Sequence, residues 1–374
     1  MPQQVTAAVL DGVGADFRLQ EVTLDAPRPD EVVVRMVASG VCGTDVHVQH
    51  GGIPFPLPGV VGHEGAGVVE SVGSAVTSVA PGDKVLLTFT SCGACRNCRL
   101  GHPAYCEEFL SRNLLGGRRA DGSTTLRRGN EELNAHFFAQ SSFSTFVLAD
   151  ERGVTKVAAD ADLELLAPLG CGVQTGAGAV LNILKPEPGT TLVIFGAGAV
   201  GLSAAMAARL TPATAIVVVD PVASRRELAL EVGATHVIDP DVEDVADVVA
   251  KLTDGRGADY AIDAAGVTAV IELAASVLTP TGTVAAIGAP APGATAGFDV
   301  NYWLNGRRFI GVTEGDSVPQ VFLPALVELV QQGRIPLHKL VRHYAFDQIN
   351  DAAAAIRDGS VVKPVLRFPD RIAT

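Results

Sequence analysis

Cys92, Cys95, Cys98 and Cys106 fall within fifteen residues, and their C-x2-C-x2-C-x7-C spacing suits one tetrahedral metal ion. Four thiolates close the coordination shell, so the expected product is a structural zinc lobe whose short loop is ordered by its metal. The competing reading is two disulfides. The opening MPQQVTAAVL lacks a basic stretch followed by an apolar core, which predicts a cytoplasmic protein and favours zinc.

Two cysteines remain, each in a different setting. Cys42 opens Cys42-Gly43-Thr44-Asp45-Val46-His47, Gly62-His63-Glu64 follows about twenty residues on, and Cys171 lies in Leu169-Gly170-Cys171-Gly172. Two thiolates and one imidazole make a three-ligand site with a fourth position free for water or substrate. Singly, each has a duller reading: a lone cysteine as a small buried hydrophobe, a lone histidine as a satisfied core or surface group. His50, His102, His136, His236, His338 and His343 lack such a neighbourhood and stay in that ordinary class.

A third signature is Thr191-Leu192-Val193-Ile194-Phe195-Gly196-Ala197-Gly198-Ala199-Val200-Gly201-Leu202, an apolar β run feeding G-x-G-x-x-G and an alanine-rich helix to Leu210. Gly196 permits the tight turn, Gly198 admits a pyrophosphate to the backbone, and Gly201 allows close helix packing. A second β run, Ala215 to Val219, ends at Asp220, placed to accept hydrogen bonds from the adenosine ribose and to repel a 2′-phosphate. NAD is therefore expected over NADP, with Arg225 tempering the preference because a nearby arginine accommodates the phosphate in some proteins.

These groups need elements to position them. Short apolar runs at 235–239, 259–263, 282–288 and 308–312 alternate with helical patterns at 224–233, 242–253 and 267–278, which predicts an α/β, doubly wound parallel sheet. The first 170 residues instead carry β runs at 31–37, 65–72 and 83–89 between Pro/Gly turns. The end of the chain predicts helices at 322–332 and 347–357 and a strand at 364–368. The Arg-rich stretch 112–128 reads as a solvated loop. A net charge of −13, from 28 basic and 41 acidic side chains, offers no footprint for nucleic acid or an anionic membrane, and no uninterrupted apolar span reads as a transmembrane segment.

Together these features resemble the zinc-dependent medium-chain alcohol dehydrogenases over essentially the whole chain. Gly62-His63-Glu64-Gly65-Ala66-Gly67 and Pro81-Gly82-Asp83-Lys84-Val85 look like that family's ligand segment and the strand leading to its zinc lobe. Phe137-Phe138-Ala139-Gln140-Ser141-Ser142-Phe143, the run Pro168 to Gly178 and Val362-Lys363-Pro364-Val365-Leu366 resemble its aryl (benzyl) alcohol and geraniol dehydrogenases. The Cys2His donor set is itself that of alcohol dehydrogenase, so its match is part of the resemblance. The resemblance implies a GroES-like, mainly β catalytic domain from residues 1–173 and 316–374 around a Rossmann NAD-binding domain at 174–315. It implies two zinc ions per chain, the catalytic one on Cys42, His63 and Cys171 and the structural one on Cys92, Cys95, Cys98 and Cys106.

It further implies hydride transfer from a primary aromatic or allylic alcohol to NAD, reversibly. Thr44 and His47 match the proton relay, Asp45 the carboxylate that orients His63, and Glu64 the acid behind the zinc. For Thr44 an ordinary helix N-cap competes. Thr175 and Lys363 match cofactor contacts, Lys363 at the pyrophosphate, where a solvated surface lysine competes. Gly43 stands where many relatives carry His or Arg, which predicts weaker NAD binding. The polar segment 112–134 resembles an insertion of dimeric relatives, so a homodimer is expected over a tetramer. Two other readings stay open: the same fold acting on a polyol or a thiol adduct of formaldehyde, and an NAD-binding protein without turnover. Phe89, Phe109, Phe137 and Phe138 lean towards an apolar substrate, with ordinary core packing of all four as the competing reading.

Overall fold

A computed structural model describes residues 1–369 and resolves two compact units. Among the described residues, one comprises 1–171, 318–328 and 340–369; the other comprises 172–317 and 329–339. The chain passes from one to the other inside the helix Pro319–Gln331.

The first unit is mainly β. Its larger sheet runs, in spatial order, Val341–Ala345, Lys363–Arg367, Glu31–Gly40, Glu64–Val72, Lys84–Leu87 and Val154–Lys156, with Phe146–Asp150 also paired to Glu31–Gly40. A smaller antiparallel sheet joins Gln3–Val9, Arg18–Leu24, Leu126–Arg128 and Glu131–Leu133. Val32, Val34, Val60, Val61 and Val85 are fully buried in one core cluster with Phe137 and Phe143. One register matters for the chemistry. Glu31–Gly40 pairs antiparallel with Glu64–Val72 so that Gly40 faces Glu64, which brings the residues just past the first strand beside those just before the second.

The stretch 112–128 is not a solvated loop. Ser111–Leu115 forms a π-helical turn, Leu126–Arg128 is a strand, and Arg119 is buried with its guanidinium on Glu31 (2.6 Å) and Asp25 (2.8 Å). Two acids brought in from 88 and 94 residues away offset the desolvation that composition alone predicts would keep an arginine in water.

The second unit is a doubly wound parallel sheet, the Rossmann arrangement. Its strands lie in the order His236–Ile238, Ala215–Val219, Thr191–Phe195, Ala258–Asp263, Leu278–Ala286 and Arg308–Gly311, all parallel. The order reverses between Thr191–Phe195 and Ala258–Asp263, and a crevice at that switch point, beyond the carboxyl ends of the strands, is where such sheets take ligands. Strands covered on both faces read as continuous apolar runs. Leu192, Val193, Ile194, Val217 and Val218 are accordingly at zero exposure, each contributing about 1.5–3 kcal/mol by burial.

Candidate active site and metal centres

The strand Glu31–Gly40 ends in Val41-Cys42, and Cys42 caps the short helix Gly43–Gln49. The capping role falls to Cys42 and not to Thr44, which sits inside the first turn. Asp45, with no solvent exposure, accepts hydrogen bonds from the Cys42 N–H (2.9 Å) and the Gly62 N–H (3.0 Å) and contacts Nδ1 of His63 (2.9 Å). His63 directly precedes the strand Glu64–Val72, and Cys171 follows the turn Ala167–Gly170.

Three distant stretches thus converge. Donor atoms of Cys42, His63, Glu64 and Cys171 all lie within 4.8 Å of one another. With Nδ1 engaged by Asp45, His63 keeps a buried Nε2 that has no hydrogen-bond partner. A buried polar atom left so is costly unless something completes it. Two thiols and one free imidazole nitrogen are the donors that suit zinc.

The electrostatics agree. A hydrogen bond from Cys171 and the charges of Lys363 and His63 pull the Cys42 thiol well below its ordinary value, against the effect of burial. Burial alone would lower the His63 pKa, but the adjoining Asp45 carboxylate and Cys42 raise it well above normal.

The position of Lys363 corrects the sequence reading. It is 2% exposed, and its ammonium bonds to both oxygens of Glu64 (2.8 and 2.9 Å) and to the Val41 carbonyl (3.3 Å). A lysine so engaged faces the carboxylate behind the metal set and not a pyrophosphate. Burial opposes its charge, yet Glu64 and Cys42 hold it protonated more firmly than a free lysine.

Aromatic rings wall one side of His63. Phe138 stacks on the imidazole at 4.6 Å and 24°, Phe137 meets it edge-on at 5.5 Å, and Phe109 meets Phe138 at 6.4 Å. Phe89 lies against Phe109 at 5.7 Å, so the four phenylalanines form one chain of contacts. The backbone here is unusual: Phe138, Ala139 and Ser141 all have φ near +50° (50°, 51° and 46°), costing about 1–2 kcal/mol each for a non-glycine residue.

In the second cysteine group all four sulfurs also lie within 4.8 Å of one another. All six cysteines are free thiols, so the disulfide alternative is not realised. N–H groups of Cys98 and Glu107 draw the Cys95 thiol down to about 6, whereas burial pushes Cys106 up to about 12. The set has no spare position, as a closed structural site requires.

In the Rossmann unit Gly196 takes φ +98°, and a Cβ on Gly201 would stand 1.8 Å from the Gly196 carbonyl oxygen, so the turn needs both glycines. Around Gly198 the space is open where a phosphate would approach the start of the helix Ala199–Ala208. Asp220 closes the neighbouring strand, its carboxylate accepting from Ala197 N–H (2.7 Å) and Val222 N–H (2.8 Å). Arg226, and not Arg225, engages the Asp220 carbonyl and Asp239. Arg225 keeps a buried Nε without a partner. Thr175 is nearly buried, its hydroxyl 3.4 Å from Glu314, which also receives Gln174 Nε2 at 3.1 Å.

Residues 28–159 match the alcohol dehydrogenase GroES-like domain, and residues 199–332 match the zinc-binding dehydrogenase model. Geraniol dehydrogenase of Castellaniella defragrans is 44% identical over 97% of both chains. The chain belongs to the zinc-binding alcohol dehydrogenases. Crystal structures agree: an alcohol dehydrogenase zinc-binding domain protein from Burkholderia ambifaria superposes with TM-score 0.96 at 51% identity, covering 99% of this chain and all of the other. Benzyl alcohol dehydrogenase from Acinetobacter calcoaceticus gives 0.95 at 45% identity, covering 98% of this chain and all of its own.

A zinc-binding alcohol dehydrogenase carries a catalytic and a structural zinc and uses NAD, and this chain offers residues that fit all three. No helix among the described residues is long and apolar enough to cross a membrane. Gln140, Thr88 and Glu314 escape sequence reasoning; a lone buried polar residue carries no spacing by which to find it.

Proposed function

We propose that this dehydrogenase oxidises primary alcohols whose carbinol carbon is attached to an aromatic ring or a C=C bond, reversibly and with NAD. The observation that carries this is His63. Its Nδ1 is held by Asp45, its Nε2 has no hydrogen-bond partner, and its face is covered by Phe138. Relatives that act on geraniol and benzyl alcohol support the substrate class, as do the rings beside His63.

Cys42, His63 and Cys171 would hold the catalytic zinc, and Cys92, Cys95, Cys98 and Cys106 the structural one. The catalytic ion, when bound, supplies a Lewis acid that acidifies an alcohol hydroxyl. Asp45 orients the imidazole and selects the tautomer with its proton on Nδ1. Thr44, its hydroxyl 3.7 Å from Cys42 Sγ, accepts the substrate proton. His47, three residues on and exposed, would carry it on towards solvent. Glu64 stays on Lys363, which balances its charge behind the thiolates. Phe138 and Phe109 exclude water and favour a flat apolar group.

For the cofactor, Gly196, Gly198 and Gly201 with the following helix N-terminus would take the pyrophosphate, Asp220 the adenosine ribose, and Thr175 the nicotinamide end. Arg225 flanks the ribose position. A polyol substrate is disfavoured by the shortage of polar groups among those rings. We further propose a cytoplasmic homodimer. Six free thiols fit a reducing compartment, and Arg308–Gly311 is an edge strand with Phe309 exposed, suited to pairing across a two-fold axis.

The test is NADH formation from benzyl alcohol by wild type and by Cys171→Ser. Turnover in the first, and a folded but inactive protein short of one zinc in the second, is expected. A Cys171→Ser enzyme at wild-type rate would overturn the site.

A further inference from the structure

His63 and Cys171 reach the metal set on separate pieces of chain, and the strand Lys84–Leu87 borders both, paired with Glu64–Val72 and approached at Leu87 by Gly170. Its ladder with Glu64–Val72 ends at the pair Ala66 and Leu86. Just beyond, the side-chain amide of Gln140 fills the gap. Its Nε2 donates to the carbonyls of His63 (3.0 Å) and Thr88 (3.1 Å), and its Oε1 accepts from the Gly65 N–H (3.1 Å). The amide stands in for a peptide unit where the two strands part.

Thr88 carries the connection onward. Its hydroxyl donates to the carbonyl of Gly170 (2.6 Å), the residue before Cys171. A Cβ at position 170 would stand 2.1 Å from the Leu87 carbonyl oxygen, so glycine is needed for this approach. Gln140 is 2% exposed and Thr88 not at all. The strained run around Gln140 points the same way. Phe138, Ala139 and Ser141 adopt left-handed φ, and Ser141 is pinned by its hydroxyl to Val60 O (2.6 Å) and by Phe137 N–H (3.0 Å). Strain of this kind persists where the surrounding contacts over-determine it, and here its product is an inward-facing amide.

We propose that Gln140 and Thr88 form a buried brace that sets the spacing of His63 and Cys171, making both positioning residues for the catalytic zinc. The proposal rests on the reading of Cys42, His63 and Cys171 as the ligands of that zinc. A staple that served folding alone would change metal release only in step with stability. A brace changes the geometry and lability of one metal and leaves the other as it is, because the four-cysteine lobe holds its own donors.

The experiment compares Gln140→Met, Thr88→Val, Thr88→Ser and a remote core variant, Val217→Ala, with wild type. Zinc count, release of each zinc to a chelator, unfolding temperature and the visible spectrum of the cobalt(II)-substituted protein are read. Gln140→Met and Thr88→Val are expected to lose one zinc roughly tenfold faster or more, with a shifted cobalt spectrum and unchanged release of the second ion. Thr88→Ser, which keeps the hydroxyl, returns to the wild-type rate and spectrum. Val217→Ala melts earlier but releases both ions as wild type does. Wild-type release and spectra in Gln140→Met and Thr88→Val, or release that follows unfolding temperature across the series, would overturn the brace. Should Gln140→Met fail to fold, the Thr88→Val and Thr88→Ser pair decides by the same readouts. One zinc per wild-type chain would overturn the ligand assignment itself, and is read before any variant.

Discussion

Asp45 grips both sides of the metal set: one oxygen lies 2.9 Å from Nδ1 of His63 and the other accepts the Cys42 N–H, also at 2.9 Å. A carboxylate is the group that accepts at both atoms at once. Asp45→Asn keeps the shape but must present an NH2 to one of these donors. Catalytic-zinc affinity and kcat/KM are expected to fall by roughly ten- to a hundredfold, as for other partners of metal-bound histidines. Zinc titration and steady-state rates check this; unchanged values in both would remove the orienting role.

The two metal sets differ in closure, so their zinc ions differ in lability. Four thiolates leave no entry for a competing ligand, whereas the proposed Cys42, His63 and Cys171 ligands, with Glu64 held by Lys363, would leave one position open. A chelator is expected to remove one zinc quickly, with activity, and the second only with unfolding. Cys95→Ser lowers stability. Elemental analysis during chelation follows both ions, and simultaneous loss would contradict the assignment.

Asp220 is expected to set the cofactor choice. Its carboxylate closes the strand Ala215–Val219 and accepts from Ala197 N–H in the glycine turn, so a 2′-phosphate there would meet a negative charge. Asp220→Gly removes that charge and leaves Arg225, whose Nε is unpartnered, free to bind the phosphate. The ratio of kcat/KM for NAD over NADP is expected to drop by an order of magnitude or more. A wild-type enzyme that already accepts both equally would contradict the role.

Much of this was within reach of spacing. The Cys92 to Cys106 lobe and the Gly196 to Gly201 turn are legible because their chemistry is local, each motif fitting inside one loop. Strand and helix periods also place the Rossmann elements to within a few residues, since both sheet faces are covered. What escapes is long-range. Gln140 satisfies backbone groups 52 to 77 residues away, and no periodicity marks such a residue. Lys363 looks like a solvent-facing phosphate ligand until Glu64, 299 residues distant, is seen to hold it. Arg119 likewise reads as solvated until Glu31 and Asp25 close on it.

His136 gives a pH signature away from the metals. Burial, with the charges of Arg119, Arg112 and Arg28, lowers its pKa to about 4, and its Nδ1 has no hydrogen-bond partner. A histidine that stays neutral in the fold but protonates near 6.5 when unfolded makes the unfolded chain bind the extra proton between those values. Stability is therefore full above pH 6.5 and falls as pH drops towards 4, by at most about 3 kcal/mol from this residue. His136→Leu is expected to flatten that part of the profile. Equal slopes for wild type and variant in denaturant titrations from pH 7 to 4 would exclude it.

The most direct test of the account is the ratio of kcat/KM for benzyl alcohol over ethanol with NAD. A phenyl group buries on the order of 100 Å2 more apolar surface than a methyl, which at roughly 25 cal/mol per Å2 is about 2.5 kcal/mol. The predicted ratio is therefore about sixtyfold, at 1.4 kcal/mol per factor of ten, with geraniol close to benzyl alcohol and sorbitol far below both. Ethanol or sorbitol turned over as efficiently as benzyl alcohol would contradict an active site built around the rings that face His63.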